Sequence, residues 1–174
     1  MKKIFIAALI FAGVNFGLST ELNAQTSQGA MRVGAQLGYG TEIESLGIGG
    51  RFDYAITDQI LLAPDLMYFF GKSEGSLDYS WFDINLNGNY LFDIGNSDIV
   101  PYALAGLNFA VVSVDYDTGG SPIDGDSSST EIGFNLGGGA DFLVGTLTVF
   151  GELRFVLGDA DQLVIAGGVK FPIN

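Results

Sequence analysis

The chain has no cysteine and no histidine. Without cysteine there is no disulfide frame, no thiolate metal site and no thiol nucleophile. Without histidine there is no Ser-His-Asp triad, no imidazole ligand and no general base of the usual kind near neutral pH. Positive charge is scarce too. Only 7 Lys and Arg stand against 20 Asp and Glu, for a net charge of -13. That balance excludes a nucleic-acid partner, which needs a basic footprint. Beyond the first residues no apolar run is long enough to cross a bilayer as a helix. The best stretch, 103–114, is short and is interrupted by Asn108 and Ser113. What is abundant is glycine, 26 residues, in a chain that is 48% hydrophobic and 13% aromatic. Such a chain has enough apolar surface to fold, and 174 residues suit one domain.

The start reads as an export address. Lys2 and Lys3 precede an apolar stretch over 4–18, and Ala24 closes a short polar segment. A basic start, a brief apolar middle and a small residue at the end predict a secretory signal over 1–24, cleaved after Ala24. Leu22 and Ala24 occupy the two selective positions. A helical anchor is opposed by the shortness of the stretch and by Asn15. The expected domains are therefore a signal peptide, 1–24, and one barrel domain, 25–174.

Alternation with period two dominates the remainder, the pattern of strands with one apolar face. It predicts eight strands, over 31–40, 45–56, 60–71, 79–92, 100–113, 131–143, 146–157 and 161–173. The fourth alternates most cleanly. Phe82, Ile84, Leu86, Tyr90 and Phe92 share one face; Trp81, Asp83, Asn85, Asn87 and Asn89 share the other. Turns are expected at 57–59, at 93–98 and around Gly145. Longer loops are expected over 71–77 and 115–129. Short turns at one end and longer loops at the other are the pattern of membrane barrels.

Polarity sets the orientation. The apolar faces hold more Leu, Val, Ile, Phe and Tyr than the interior of eight strands could take. The other faces supply glycines and polar groups, which fit a narrow lumen. Aromatics gather near the strand ends: Tyr39, Phe70, Phe82, Phe134 and Phe155 toward the loops, Tyr54, Tyr90, Phe92, Phe142 and Phe171 toward the turns. Two such girdles match the two interfaces of a bilayer. The expected fold is all-β, an eight-stranded antiparallel up-and-down transmembrane β-barrel.

With its signal, its eight alternating strands and its closing strand over 162–174, the chain resembles the small eight-stranded outer-membrane β-barrels, the OmpA/OmpX-like and opacity-porin-like group. The family's assembly signal is a polar residue, then Gly, aromatic and aromatic at fixed spacing near the C-terminus. Here Gly168, Phe171 and Ile173 fill the last three places, so an isoleucine replaces one aromatic, and Asn174 follows. The resemblance implies residence among outer-membrane lipid in a Gram-negative-type cell, and recognition of the last strand by the outer-membrane assembly machinery. A monomer without cofactor or resident metal is expected.

The inward list holds Arg32, Arg51, Arg154 and Lys170 with Asp53, Asp65, Asp83, Glu131, Asp141 and Glu152. Arg or Lys on the lipid side would cost about 2–4 kcal/mol at the midplane, so inward placement and pairing are favoured. Folding about Asp58 sets Arg51 across from Asp65, and folding about Glu74 brings Asp83 beside Asp65. An Arg51–Asp65–Asp83 cluster is predicted, with Asp141, Glu152 and Arg154 in a second part of one lumen ion-pair network. Eight strands leave room for side chains and little else, which favours a filled lumen over a cation path.

The loops carry Glu42, Glu44, Glu74, Asp78, Asp115, Asp117, Asp124, Asp126, Asp159 and Asp161 against the single Lys72. Asp115, Asp117, Asp124 and Asp126 hint at a divalent cation, but no twelve-residue calcium loop with its closing Glu is present, so a solvated acidic surface is expected. Gly47, Gly49 and Gly50, and 137–139, open no helix, so they are not phosphate loops. Asp141 and Glu152 could form a glycosidase pair, yet a lumen network with Arg154 explains them better. An enzyme is not expected. The sequence points to a barrel with acidic surface loops in a structural or surface-interaction role. A narrow cation-preferring porin and a soluble periplasmic lipid-binding barrel are the alternatives.

Overall fold

The computed structural model describes residues 27–74, 77–95, 98–116, 126–159 and 161–173. The expected signal segment lies outside the described residues, as do Asp117 and Asp124. Eight strands form the chain: β1 (Met31–Gly40), β2 (Ser45–Ala55), β3 (Ile60–Glu74), β4 (Leu77–Leu91), β5 (Ile99–Tyr116), β6 (Asp126–Val144), β7 (Leu147–Gly158) and β8 (Gln162–Ile173). Each pairs antiparallel with its neighbours in sequence, and β1 pairs with β8, so the sheet closes. Among the described residues there is no helix.

Alternation decides which side chains turn outward. In β1, Val33, Leu37 and Tyr39 are exposed on the outer wall, while Arg32 and Gln36 are buried inside. In β4, Leu86 is 46% exposed and Ile84 and Tyr90 are similarly open, whereas Asp83, Asn85, Asn87 and Asn89 are almost wholly buried. This inversion, apolar outside and polar within, is the polarity of a barrel built for lipid.

The strands are unequal, which corrects the expected loops. β3 and β4 run for 15 residues each, β5 for 18 and β6 for 19, while β1 has 10. Within the segments expected as loops, 72–74, 77, 115–116 and 126–129 are paired backbone, from Glu74↔Leu77 and Asp115↔Asp126 downward. A tall four-stranded sheet, β3–β6, therefore rises above a low rim made by the other four strands. In these segments apolar and polar residues cease to alternate while the backbone ladder continues, because its N–H···O=C bonds do not depend on side-chain type.

Local chemistry explains the turns. Between β2 and β3, the Thr57 hydroxyl accepts the Gln59 and Ile60 amides. Gly95 (φ 72°) follows Asp93, whose carboxylate accepts the Gly95 amide at 2.8 Å. Gly145 (φ 62°) makes the tight β6–β7 turn possible. Pro64, which lacks an N–H, sits where the β2–β3 ladder is interrupted between Arg51↔Asp65 and Tyr54↔Leu62. On the low rim the Thr41 amide donates to the Leu163 carbonyl and its hydroxyl accepts the Leu163 amide, each at 3.0 Å, tying the β1–β2 loop to β8.

One inward glycine is required by close approach. A Cβ on Gly137 would strike the Leu153 carbonyl oxygen and the Arg154 Cα, both backbone. Around Gly151, on the outer wall, there is open space. Gly137→Ala is therefore expected to lower stability by about 1–3 kcal/mol. Gly151→Ala should cost little. Denaturant unfolding of the two variants in detergent micelles checks the contrast, and equal costs would contradict it.

Candidate functional site

Among the described residues, it is in the lumen that the strands gather charged and hydrogen-bonding side chains. It is layered along the barrel axis. Toward the turns Ala55, Leu61, Leu91, Tyr102 and Leu104 pack together, with Ala30 and Val100 against them. Toward the loops Met67, Phe69, Trp81, Ala110, Val156, Val164 and Ala166 pack together, with Ile43 and Val112 against them. Between these apolar layers lie the charges.

The charges form one continuous chain of ion pairs. Asp141 takes Arg32 at 3.1 Å and Lys170 at 2.7 Å. Asp53 takes Arg32 at 2.8 Å, Lys170 at 3.0 Å and Arg51 Nε at 3.2 Å. Arg51 Nη1 donates to Glu152 Oε2 at 2.6 Å, and the Tyr102 hydroxyl donates to the same oxygen at 2.9 Å. Arg154 lies 3.6 Å from the other Glu152 oxygen and donates to Asp65 at 2.8 Å. Every member is nearly or completely buried. Two cations lie over the Phe150 ring, the Arg51 guanidinium carbon 5.0 Å and the Lys170 ammonium 4.9 Å from its centre. Such contacts strengthen where water is excluded.

Amides continue the chain upward. Asp65 accepts from Gln36, Asn85 and Asn87 at 3.0–3.1 Å. Asn108 and Asn135 both donate to the Asn85 side-chain oxygen, and Asn135 also reaches Asn87. Trp81 closes the stack, its indole N–H donating to Asp83 at 2.6 Å. These contacts hold the network's members in place, while both side-chain polar atoms of Asn89 and of Gln162, and Nε and Nη2 of Arg154, are buried without a hydrogen-bond partner among the described residues.

The predicted site residues are distributed differently from the expected cluster. Arg51 and Asp65 are register partners across β2 and β3, as the fold about Asp58 requires. Their side chains nonetheless pair elsewhere, Arg51 with Asp53 and Glu152, Asp65 with Arg154. Asp83 stands opposite Met67, one inward position above Asp65, whose partner on β4 is Asn85. So Arg51, Asp65 and Asp83 do not form a cluster of their own. Glu152 meets Arg154, whereas Asp141 turns to Arg32 and Lys170. The physical reason is reach. A guanidinium on a long stem can cross a narrow lumen as well as meet a neighbour on its own or the adjacent strand, as Arg51 and Arg32 do with Asp53, so register alone does not fix its partner. Arg51 and Arg154 accordingly join β2 to β7 and β7 to β3. With Asp141 and Glu152 each held by two basic residues, neither is set up as a free general acid.

Gln36, Tyr102 and Phe150, absent from the predicted network, take part in it. Strand parity places all three inward; Gln36 stands on the polar face of β1, whereas in β5 and β7 apolar residues occupy both faces, so Tyr102 and Phe150 do not stand out. Phe69 and Leu61 were hidden in β3 for the same reason.

The outer wall is apolar throughout the barrel's middle height, with Leu37, Ile48, Leu66, Ile84, Leu136, Leu153 and Ile165 exposed. Tyr39, Phe70, Phe134 and Phe155 ring the loop side, and Tyr54, Tyr90, Phe92 and Phe171 ring the turn side. Phe82 and Phe142 are half-buried. At the low rim Glu42, Glu44, Asp159 and Asp161 are exposed. Among the described residues no three acids gather as a metal site.

No family model matches the chain, and no curated protein matches it. Solved structures do. The N-terminal β-barrel domain of Pseudomonas aeruginosa OprF superposes with a TM-score of 0.60 at 20% identity, over 84% of this chain and 98% of that one. Neisserial surface protein A gives 0.57 at 21% identity, over 82% and 95%. A major outer membrane protein of Thermus thermophilus gives 0.64 at 12% identity, over 83% and 98%. At these identities the likeness establishes the fold. The chain has the fold of the small eight-stranded outer-membrane β-barrels.

Proposed function

We propose that the chain is an integral outer-membrane protein of a Gram-negative-type envelope, a filled barrel that anchors a tall sheet and acidic loops at the cell surface in a structural or surface-interaction role. Residues 1–24 serve as its cleaved signal. The closing strand, with Gly168, Phe171 and Ile173, is what the assembly machinery reads, and the barrel works as a monomer among lipids.

One observation carries this reading. The outer wall is apolar between two aromatic rings, while an ion-pair chain lies along the axis between two apolar layers. A wall of that kind needs lipid, since an exposed apolar band of this extent is a liability in water. An axis of that kind leaves no continuous path for ions. Asp141 and Glu152 are each held by two cations, so no catalytic role is proposed for them.

The test uses the full chain. It should fractionate with outer membranes and run faster on gels before heating than after. In planar bilayers it should pass no resolvable current. Recovery in the soluble periplasmic fraction would replace this reading with a soluble lipid-binding barrel. A steady cation-selective current would replace it with a narrow porin.

A further inference from the structure

The β1–β2 connection, residues 41–44, does not stand clear of the barrel. It lays Ile43 on the apolar layer at the loop-side end of the lumen, the layer that holds Phe69, Trp81 and Val156. Ile43 is half-buried there, while Glu42 and Glu44 on either side of it are exposed. A Cβ on Gly40 would meet the Ile43 side chain, the Phe69 ring and the Gln162 side-chain oxygen. These three groups therefore converge on one spot at the end of β1, and Gln162 lies beneath the connection.

The closed arrangement balances opposing contributions. Burial of Ile43 favours it. So does the double hydrogen bond of Thr41 with Leu163, the residue next to Gln162: the Thr41 amide donates to the Leu163 carbonyl, and the Thr41 hydroxyl accepts the Leu163 amide. Two features oppose it. Glu44 has φ 49°, in the left-handed region that a residue with a Cβ adopts at a cost. Gln162 is only 6% exposed, yet neither polar atom of its amide has a hydrogen-bond partner among the described residues. A buried amide without partners is unfavourable, and contact with water removes that cost. Where closing and opening contributions are similar in size, the open form is a populated minority state.

We propose that residues 41–44 are a hinged lid on the loop-side end of the lumen, latched by Thr41 on Leu163 and biased toward opening by the buried Gln162 amide. Raising the lid admits water to Gln162 and to the apolar layer around Trp81. The ion pairs farther along the axis stay formed, so the movement uncovers a shallow recess and no path through the barrel.

The experiment uses the full chain refolded in detergent micelles and two readouts. Exchange of the amide at position 41, corrected for its intrinsic rate, reports release of the latch. Acrylamide quenching reports access to Trp81, the only tryptophan in the sequence. Thr41→Val removes the hydroxyl from the latch and should raise the open population about fivefold, seen as faster exchange and stronger quenching. Gln162→Met keeps the size of the side chain, removes the unpaired amide and should lower both readouts. The β4 amides of Ile84 and Leu86 should exchange at the same rate in all three proteins. Unchanged readouts in either variant would overturn the proposal. So would a change at position 41 with none at Trp81, since the lid would then not cover that layer. Acceleration of Ile84 and Leu86 together with position 41 would also overturn it, because the opening would be global. None of these outcomes would alter membrane fractionation or heat-dependent migration, so failure here is distinct from failure of the barrel reading.

Discussion

Arg154→Met is expected to destabilise the folded barrel by about 3–5 kcal/mol, the usual result of leaving a buried charge without its partner. Arg154 is the one basic residue that ion-pairs with Asp65 among the described residues, at 2.8 Å, and it also stands beside Glu152. Both Arg154 and Asp65 are nearly fully buried, so water cannot take the place of the lost guanidinium. The three amides on Asp65 soften the loss but supply no charge. Denaturant unfolding in detergent micelles measures the effect. Adding Asp65→Asn to Arg154→Met should recover a large part of it, because the stranded carboxylate is then gone. A single-variant loss below about 1 kcal/mol would show that the pair is solvated, and the filled axis would have to be abandoned.

Leu86→Arg separates a lipid-facing wall from a water-facing one by its sign. Leu86 is exposed on the outside of β4, between the aromatic rings. In lipid the arginine should cost about 2–4 kcal/mol and reduce recovery in the membrane fraction. On a soluble barrel the same exchange would fall within about 0.5 kcal/mol and improve solubility. Glu42→Arg, at the exposed low rim, serves as the neutral control in both settings. A folded, unchanged, membrane-recovered Leu86→Arg protein would place Leu86 outside the hydrocarbon region and with it the orientation argued here.

The two variants probe different levels of organisation. The outer wall is a property of each strand separately, and it was readable residue by residue. Phe82, Ile84, Leu86 and Tyr90 share a face because side chains alternate with period two, whatever the strand pairs with. The register of β2 with β3 was also readable, since the turn at Asp58 fixes Arg51 opposite Asp65. The lengths of β3–β6 were not. Above the closed part of the barrel neither face of the sheet must be apolar, so alternation lapses while the hydrogen-bonded ladder goes on.

By itself, then, the sequence determined the class of the molecule: strands in place of helices, eight of them, charge turned inward and oil turned outward. Local alternation and the shortage of exposed basic residues suffice for that. Only the closed tertiary structure decided who meets whom on the axis. Arg51 joins Glu152 across a separation of 101 residues, and Arg154 joins Asp65 across 89. Those partnerships depend on how far a long side chain reaches across a narrow closed sheet, a distance that exists only once β1 has met β8.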